Sequence, residues 1–167
     1  MESNYKEKLA DINAFIFDVD GVLTDGSLVI SESGELLRTM NVKDGFAMKF
    51  AIDNCYKIGI ISGGTNESVR KRLNGLGIEE IHLKSHDKIV PFNNFLKKYN
   101  LDKENVLVMG DDIPDIPIIK IAGIGCCPQD AVPEVKAVSN YISQKNGGKG
   151  CVRDVIEQVM KIQNKWI

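Results

Sequence analysis

Apolar and polar residues follow two patterns in turn along this chain. Five short runs are nearly continuous in apolar residues: 12–20 (INAFIFDVD), 56–62 (YKIGIIS), 80–83 (EIHL), 105–111 (NVLVMGD) and 122–127 (AGIGCC). Their length and their Ile, Val and Phe content predict strands covered on both faces. Between them, residues 44–54, 65–74, 87–99 and 114–121 carry helical patterns, and Pro91 fits the third because it falls near the first turn. Strands alternating with helices imply βαβ units, so the expected class is a Rossmann-like three-layer α/β/α fold with a mainly parallel sheet.

One segment breaks the rhythm. Residues 26–42 (GSLVISESGELLRTMNV) hold two short strand patterns around the turn signal SESGE, which predicts a β-hairpin directly after the first strand. The chain closes on a glycine-rich loop and an amphipathic helix, NGGKGCVRDVIEQVMKIQNKW. With no repeats, linkers or low-complexity tracts, residues 1–167 read as one domain.

Composition narrows the partners. An apolar fraction of 43%, a charged fraction of 26% and a net charge of -2 describe a globular chain with no electrostatic reason to bind nucleic acid or an acidic membrane surface. No apolar run could span a bilayer, and the polar N-terminus MESNYKEKLAD is not a secretory signal, so the expected location is cytoplasmic. Cys55, Cys126, Cys127 and Cys151 form no C-x-x-C pair and stand apart from His82 and His86, which favours reduced core thiols over zinc.

The chemistry lies where the apolar runs end. In an open parallel sheet, ligands sit outside the carboxyl ends of the strands. Asp18 and Asp20 follow the first run, Ser62-Gly63-Gly64-Thr65 the second, Lys88 stands beyond the third, and Asp111, Asp112 and Asp115 follow the fourth. Clustered carboxylates raise one another's pKa unless a hard dication such as Mg²⁺ binds them, with Asp18 and Asp111 the natural ligands. Ser62 and the N–H groups after it, at a helix N-terminus, suit phosphate oxygens, and Lys88 suits the charge on a phosphoryl group. A carboxylate can also be the nucleophile. Singly, each piece has an ordinary reading: D-x-D as a turn or cap, SGGT as a capped turn, Lys88 as a solvated lysine, GDDIPD as a helix start. Their order, each at a strand end, favours phosphoryl transfer.

At this point the sequence resembles the haloacid dehalogenase superfamily of phosphatases: DVDGVLTDG is similar to its first motif, IISGG to its second, Asp87-Lys88 to its third and GDDIPD to its fourth. The resemblance implies Asp18 as nucleophile and Asp20 as general acid and base. It also implies Mg²⁺ held by the Asp18 carboxylate, the Asp20 carbonyl and Asp111, with Asp112 and Asp115 supporting that metal. Ser62, Gly63 and Lys88 would bind phosphate. The short interval before NVKDG leaves room for the hairpin but no cap domain, and capless members resembling this chain are tetramers in which a neighbour closes the site.

Within the superfamily, DVDGVLTDG, GELLRTMNVKDGF, GDD and NGGKGCVRDVIE most resemble phosphatases of 3-deoxy-D-manno-octulosonate (KDO) 8-phosphate, which make a lipopolysaccharide precursor. That likeness implies substrate contacts, shared with Asp20 and Lys88, from Asn41, Val42, Lys43, Asp44, Gly45, Lys49 and Arg72, and a Gly147-Gly148 segment reaching towards a neighbouring subunit. Ordinary readings stand beside these: Arg72 on a solvated helix face, Asp44 as an N-cap, Gly147-Gly148 as a flexible connection. Two positions depart from the pattern. Gly64 stands where many such enzymes carry arginine, and Lys84 where glycine is common. The related nononate 9-phosphate phosphatases place glutamate at the Gly64 position, and a non-catalytic phosphate-binding subunit is the alternative outside enzymology.

Overall fold

The computed structural model describes residues 5–167, so the first four residues of the polar N-terminal stretch lie outside the described residues. The strands in chain order are β1 (Ala14–Phe17), β2 (Val29–Ile30), β3 (Leu36–Leu37), β4 (Lys57–Ile61), β5 (Glu80–His82), β6 (Val106–Met109), β7 (Ile124–Cys127) and β8 (Tyr141–Ile142). The helices are α1 (Tyr5–Lys8), α2 (Val42–Asp53), α3 (Glu67–Asn74), α4 (Ile89–Tyr99), α5 (Ile116–Ile121), α6 (Pro133–Lys136) and α7 (Cys151–Ile162). Six strands form one wholly parallel sheet in the order β5-β4-β1-β6-β7-β8.

The near-continuous apolar runs are explained by the two cores they serve. Phe15, Phe17, Ile58, Ile60, Leu107, Met109, Ile124 and Cys126 point into one, filled from α2, α3 and α7 by Met48, Leu73, Val155 and Ile156. Their neighbours Ala14, Ile16, Ile61, Val106, Val108 and Cys127 point into the other, filled from α4, α5 and α6 by Phe92, Phe95, Ile118 and Val135. Successive side chains on a strand face opposite ways, so a sheet covered on both faces needs apolar residues at every position. No described helix is long and apolar enough to cross a membrane.

The hairpin forms as expected, β2 pairing antiparallel with β3 in a sheet of its own, and no cap domain accompanies it among the described residues. Three elements lack a counterpart in the sequence reading, the four-residue α1 and α6 and the two-residue β8. Cys126, Cys127 and Cys151 are buried free thiols, whereas Cys55 is exposed.

Three expectations are corrected. Asp44 does not cap α2: Asn41 does, accepting from the Lys43 N–H at 2.8 Å. Asp44 is buried inside α2 and accepts instead from the Arg153 N–H at 2.8 Å, so it caps α7 from outside that helix. Burial raises its pKa against the pull of that N–H. The Gly147-Gly148 loop is not a loose connection. Gly148 N donates to Val22 O at 2.9 Å, and a Cβ at Gly147 would lie 1.9 Å from Gly21 O. Only a residue without a side chain lets these backbones approach so closely. Finally, α3 starts at Glu67, not Thr65, because Asn66 caps it by accepting from Ser68 and Val69 N–H.

Candidate active site

Register brings the polar strand ends together. Phe17 pairs with both Ile60 and Met109, so the residues after β1, β4 and β6 emerge level at one sheet edge. β1 lies where the strand order reverses, the place at which an open α/β sheet leaves a crevice. That crevice, about 400 Å³, is lined by Asp18, Asp20, Ser62, Gly63, Lys88, Asp111, Asp112 and Asp115 among others. A larger cavity of about 480 Å³ lies elsewhere, between Asn41, Lys43, Lys149 and Arg153. It holds no comparable group of paired carboxylates, and the chemistry belongs to the crevice.

The floor is an ionic cluster. Lys88, immediately before α4 and only 4% exposed, places Nζ 2.6 Å from Asp115 Oδ1 and 3.1 Å from Asp18 Oδ1. Burial works to lower its pKa, but the two carboxylates outweigh it and the net shift is upward. Asp115 has no oxygen to spare: Oδ2 accepts from the N–H groups of Asp111 and Asp112, at 3.0 and 3.3 Å. It therefore fixes the loop after β6 and orients Lys88. Asp112 is exposed and caps the turn Ile113–Asp115 through the Ile113 N–H.

Asp18 and Asp111 face one another with too much negative charge. Burial, then the Asp115 charge, pushes the Asp18 pKa up to about 7; burial, then Asp18, does the same to Asp111. Oxygens of Asp18, Asp111 and Asp115 lie within 4.8 Å of one another, and Asp111 Oδ1 is buried without a hydrogen-bond partner. Gly21, at φ 87°, packs so closely that a Cβ there would stand 2.0 Å from Asp111 Oδ2. An all-oxygen donor set with an unsatisfied buried carboxylate oxygen fits a hard dication such as Mg²⁺.

Opposite the aspartates runs the loop after β4. Ser62 is buried, and its Oγ accepts from Gly64 N–H at 3.2 Å. Ser62 O and Gly64 O accept from Ser85 and Lys84 N–H, which ties this loop to the one after β5. A Cβ at Gly63 would meet nothing within 4 Å, so its backbone faces open space. Because Asn66 accepts from the first N–H groups of α3, an anion at this loop would have to be met by the Ser62-Gly63-Gly64 backbone and hydroxyl instead of a free helix terminus. Lys84 sits at φ 58°, left-handed backbone that glycine adopts freely.

Sequence reasoning missed the residue that holds Asp20. Arg38, just after β3, donates Nε to Asp20 Oδ1 at 2.6 Å and Nη2 to Oδ2 at 2.9 Å. Its side chain is 7% exposed, and the Asp20 carboxylate raises its pKa. His86 also lines the crevice. Neither carries a local signal, since an arginine on an exposed hairpin reads as solvated. Asp25 accepts from Ser27 N–H, which lowers its pKa and shapes the turn into the hairpin.

Within one chain the remaining expected contacts stay away from the crevice. Asn41 caps α2 and donates Nδ2 to Gly148 O, and Val42 and Lys43 are exposed beside the larger cavity. Asp44 is buried against α7, Gly45 packs beneath the Arg72 guanidinium, and Lys49 pairs with Asp53 at 2.5 Å. Arg72 is exposed over a shallow cavity beside Leu37 and Met40. None lines the crevice.

Known proteins share this fold. The haloacid dehalogenase-like hydrolase family matches residues 65–156. The 3-deoxy-D-manno-octulosonate 8-phosphate phosphatase of Escherichia coli K12 is 33% identical over 158 residues, 95% of this chain and 84% of that protein. The crystal structure of the Yersinia pestis phosphatase of the same name superposes with a TM-score of 0.95 at 31% identity, over 98% of this chain and 88% of that one. The Moraxella catarrhalis phosphatase, crystallised with magnesium, phosphate and KDO, gives 0.93 at 31% identity over 98% and 94%. The crevice of aspartates, hydroxyl loop and buried lysine thus sits on a backbone shared with phosphatases, and the chain belongs to the haloacid dehalogenase-like hydrolases as a phosphoric monoester hydrolase.

Proposed function

We propose that this enzyme hydrolyses 3-deoxy-D-manno-octulosonate 8-phosphate to KDO and inorganic phosphate, with Mg²⁺ as cofactor. The observation that carries the reading is the meeting of Asp18, Asp20, Ser62, Lys88 and Asp111 in one crevice. The substrate assignment is supported by the relatives' activity and by likeness over nearly the whole chain.

Asp18 is the nucleophile. One of its carboxylate oxygens attacks phosphorus while the bond to the sugar oxygen breaks, and Asp20 gives that oxygen a proton. Asp20 then takes a proton from water as the water oxygen attacks phosphorus, the aspartyl-phosphate bond breaks, and Asp18 is restored. Lys88 balances charge on Asp18 and on the phosphoryl oxygens, and Ser62 with the Gly63 backbone receives those oxygens. The Asp18 and Asp111 carboxylates and the Asp20 carbonyl would hold Mg²⁺, whose charge stabilises the phosphoryl group and lets the carboxylates stay ionised. Asp112 and Asp115 support this set by fixing the loop after β6.

Asn41, Val42, Lys43, Asp44, Gly45, Lys49 and Arg72 are assigned to the substrate's sugar end in an assembled homotetramer, where a neighbour closes the site. Support for assembly comes from the hairpin, whose Val29 and Ile30 are 62% and 73% exposed. The enzyme acts on a small molecule, without nucleic acid or membrane, each subunit one domain in the cytoplasm.

The test is phosphate release from KDO 8-phosphate, a nononate 9-phosphate and simpler sugar phosphates in Mg²⁺, with Asp18→Asn as control. KDO 8-phosphate should give the highest kcat/KM, and Asp18→Asn should lose about 10⁴-fold or more while staying folded. A higher kcat/KM on the nononate ester overturns the substrate; turnover retained by Asp18→Asn overturns the nucleophile.

A further inference from the structure

The hairpin is anchored to the rest of the chain in an unusual way for so apolar an element. Leu28, Val29, Ile30, Leu36 and Leu37 are all exposed, so none of them buries it against the domain. Two polar ties hold it instead, one ending at the crevice and the other beside it at the start of α3. The first is the Arg38 fork on Asp20, two N–H donors to two carboxylate oxygens. The second is the Leu36 carbonyl, which accepts from Arg38 Nη1 at 3.0 Å and from Asn66 Nδ2 at 2.9 Å. Asn66 in turn caps α3 directly beyond the Ser62-Gly63-Gly64 loop.

We infer that Arg38 is the positioning residue for Asp20, and that the hairpin sets the orientation of this acid/base through the guanidinium fork. Three observations carry it. The Arg38 side chain is only 7% exposed although it stands on an exposed hairpin, so its location is explained by Asp20 and not by solvent. Bidentate pairing fixes a carboxylate in two directions at once, which a single lysine-type contact cannot do. Asp20 carries no second side-chain partner among the hydrogen bonds of the described residues, while its backbone, at φ -72° and ψ 120° beside Gly21 at φ 87°, leaves the regular path of the turn. Gly64 adds room for this arrangement: a Cβ there would stand 3.4 Å from both Arg38 Nη2 and Asp20 Oδ2. Displacing the hairpin therefore turns Asp20, and whatever covers the hairpin's apolar face also steadies the acid.

The inference rests on Asp20 protonating the leaving oxygen, and leaving groups separate it from that reading. An alkyl sugar phosphate needs the proton, whereas p-nitrophenyl phosphate, a good leaving group, does not. The ratio kcat/KM reports steps through phosphoryl transfer and excludes hydrolysis of the aspartyl-phosphate. For Arg38→Gln, kcat/KM on KDO 8-phosphate should fall about 10- to 100-fold, and on p-nitrophenyl phosphate less than about 3-fold. Arg38→Lys, which keeps the charge but not the fork, should fall between wild type and Arg38→Gln, with Tm measured for both. Equal losses on the two esters, or none, overturn the positioning role. If Asp20→Asn itself shows no leaving-group dependence, the acid assignment fails instead.

Discussion

Lys88→Met tests whether the ionic floor of the crevice holds the fold as well as the chemistry. Exposed ion pairs contribute up to about 1 kcal/mol. Lys88 and Asp115 are 4% and 1% exposed and Asp18 is 11% exposed, so this cluster belongs to the buried class. There, removing one partner costs about 3–5 kcal/mol because the other charges stay buried and uncompensated. For a chain of this size about 2–4 °C of Tm follows each kcal/mol, so the midpoint should drop about 6–20 °C. The measurement is thermal and urea unfolding at pH 7 with a chelator, so that no cation replaces the ammonium. The Lys88 pKa is raised in the folded protein, so its stabilisation is fully present below the ordinary lysine value of 10.5 and is lost as pH rises beyond it. The gap between wild type and variant should accordingly widen as pH rises through about 7, where Asp18 and Asp111 lose protons that the Lys88 charge helps to displace, and close again above about 10. Adding Asp115→Asn to Lys88→Met should restore part of the loss, with a coupling of about 0.5–3 kcal/mol. A loss below about 1 kcal/mol at pH 7, or additive single variants, refutes the reasoning.

Three further outcomes are expected. Without metal, Asp18 and Asp111, with folded pKa values pushed up to about 7, hold protons that the unfolded chain releases from about pH 4 upward. Urea midpoints in chelator should therefore fall as pH rises from about 4 to 7, and Mg²⁺ should abolish that fall; a flat chelator profile would contradict it. Gly147→Ala should cost about 1–3 kcal/mol and lower kcat, since its Cβ would meet the Gly21 carbonyl at 1.9 Å, next to Asp20; unchanged Tm and kcat would show that the turn yields freely. Ile30→Asp on the hairpin should shift sedimentation from the proposed tetramer towards smaller species; an unchanged profile would remove the hairpin from the interface.

The parts legible in the sequence were those where one residue type answers one physical demand. Runs such as AFIF and VLVM can be satisfied only by a sheet covered on both faces, and strand ends in a parallel sheet share an edge, so Asp18, Ser62 and Asp111 could be gathered without coordinates. α6 and β8, at four and two residues, are shorter than any period can reveal. Asp44 looked like a cap and is one, but for α7, more than a hundred residues away. Arg38 was invisible because burial of a hairpin arginine depends on where the hairpin lies, a tertiary fact.

The placement of β1 has a consequence for how the enzyme comes into being. Its four residues emerge early in synthesis, yet one flanking strand ends at Ile61 and the other at Met109. The turn carrying Asp20 waits longer still, for Gly148 to reach Val22 O. An apolar strand, buried at all four positions, is therefore kept without its full set of strand partners until β6 has been made, which makes it a natural client for chaperones and a seed for aggregation if translation stalls. A chain released before Gly148 lacks the tie to Val22 O, and it should be inactive until synthesis has passed the loop before α7.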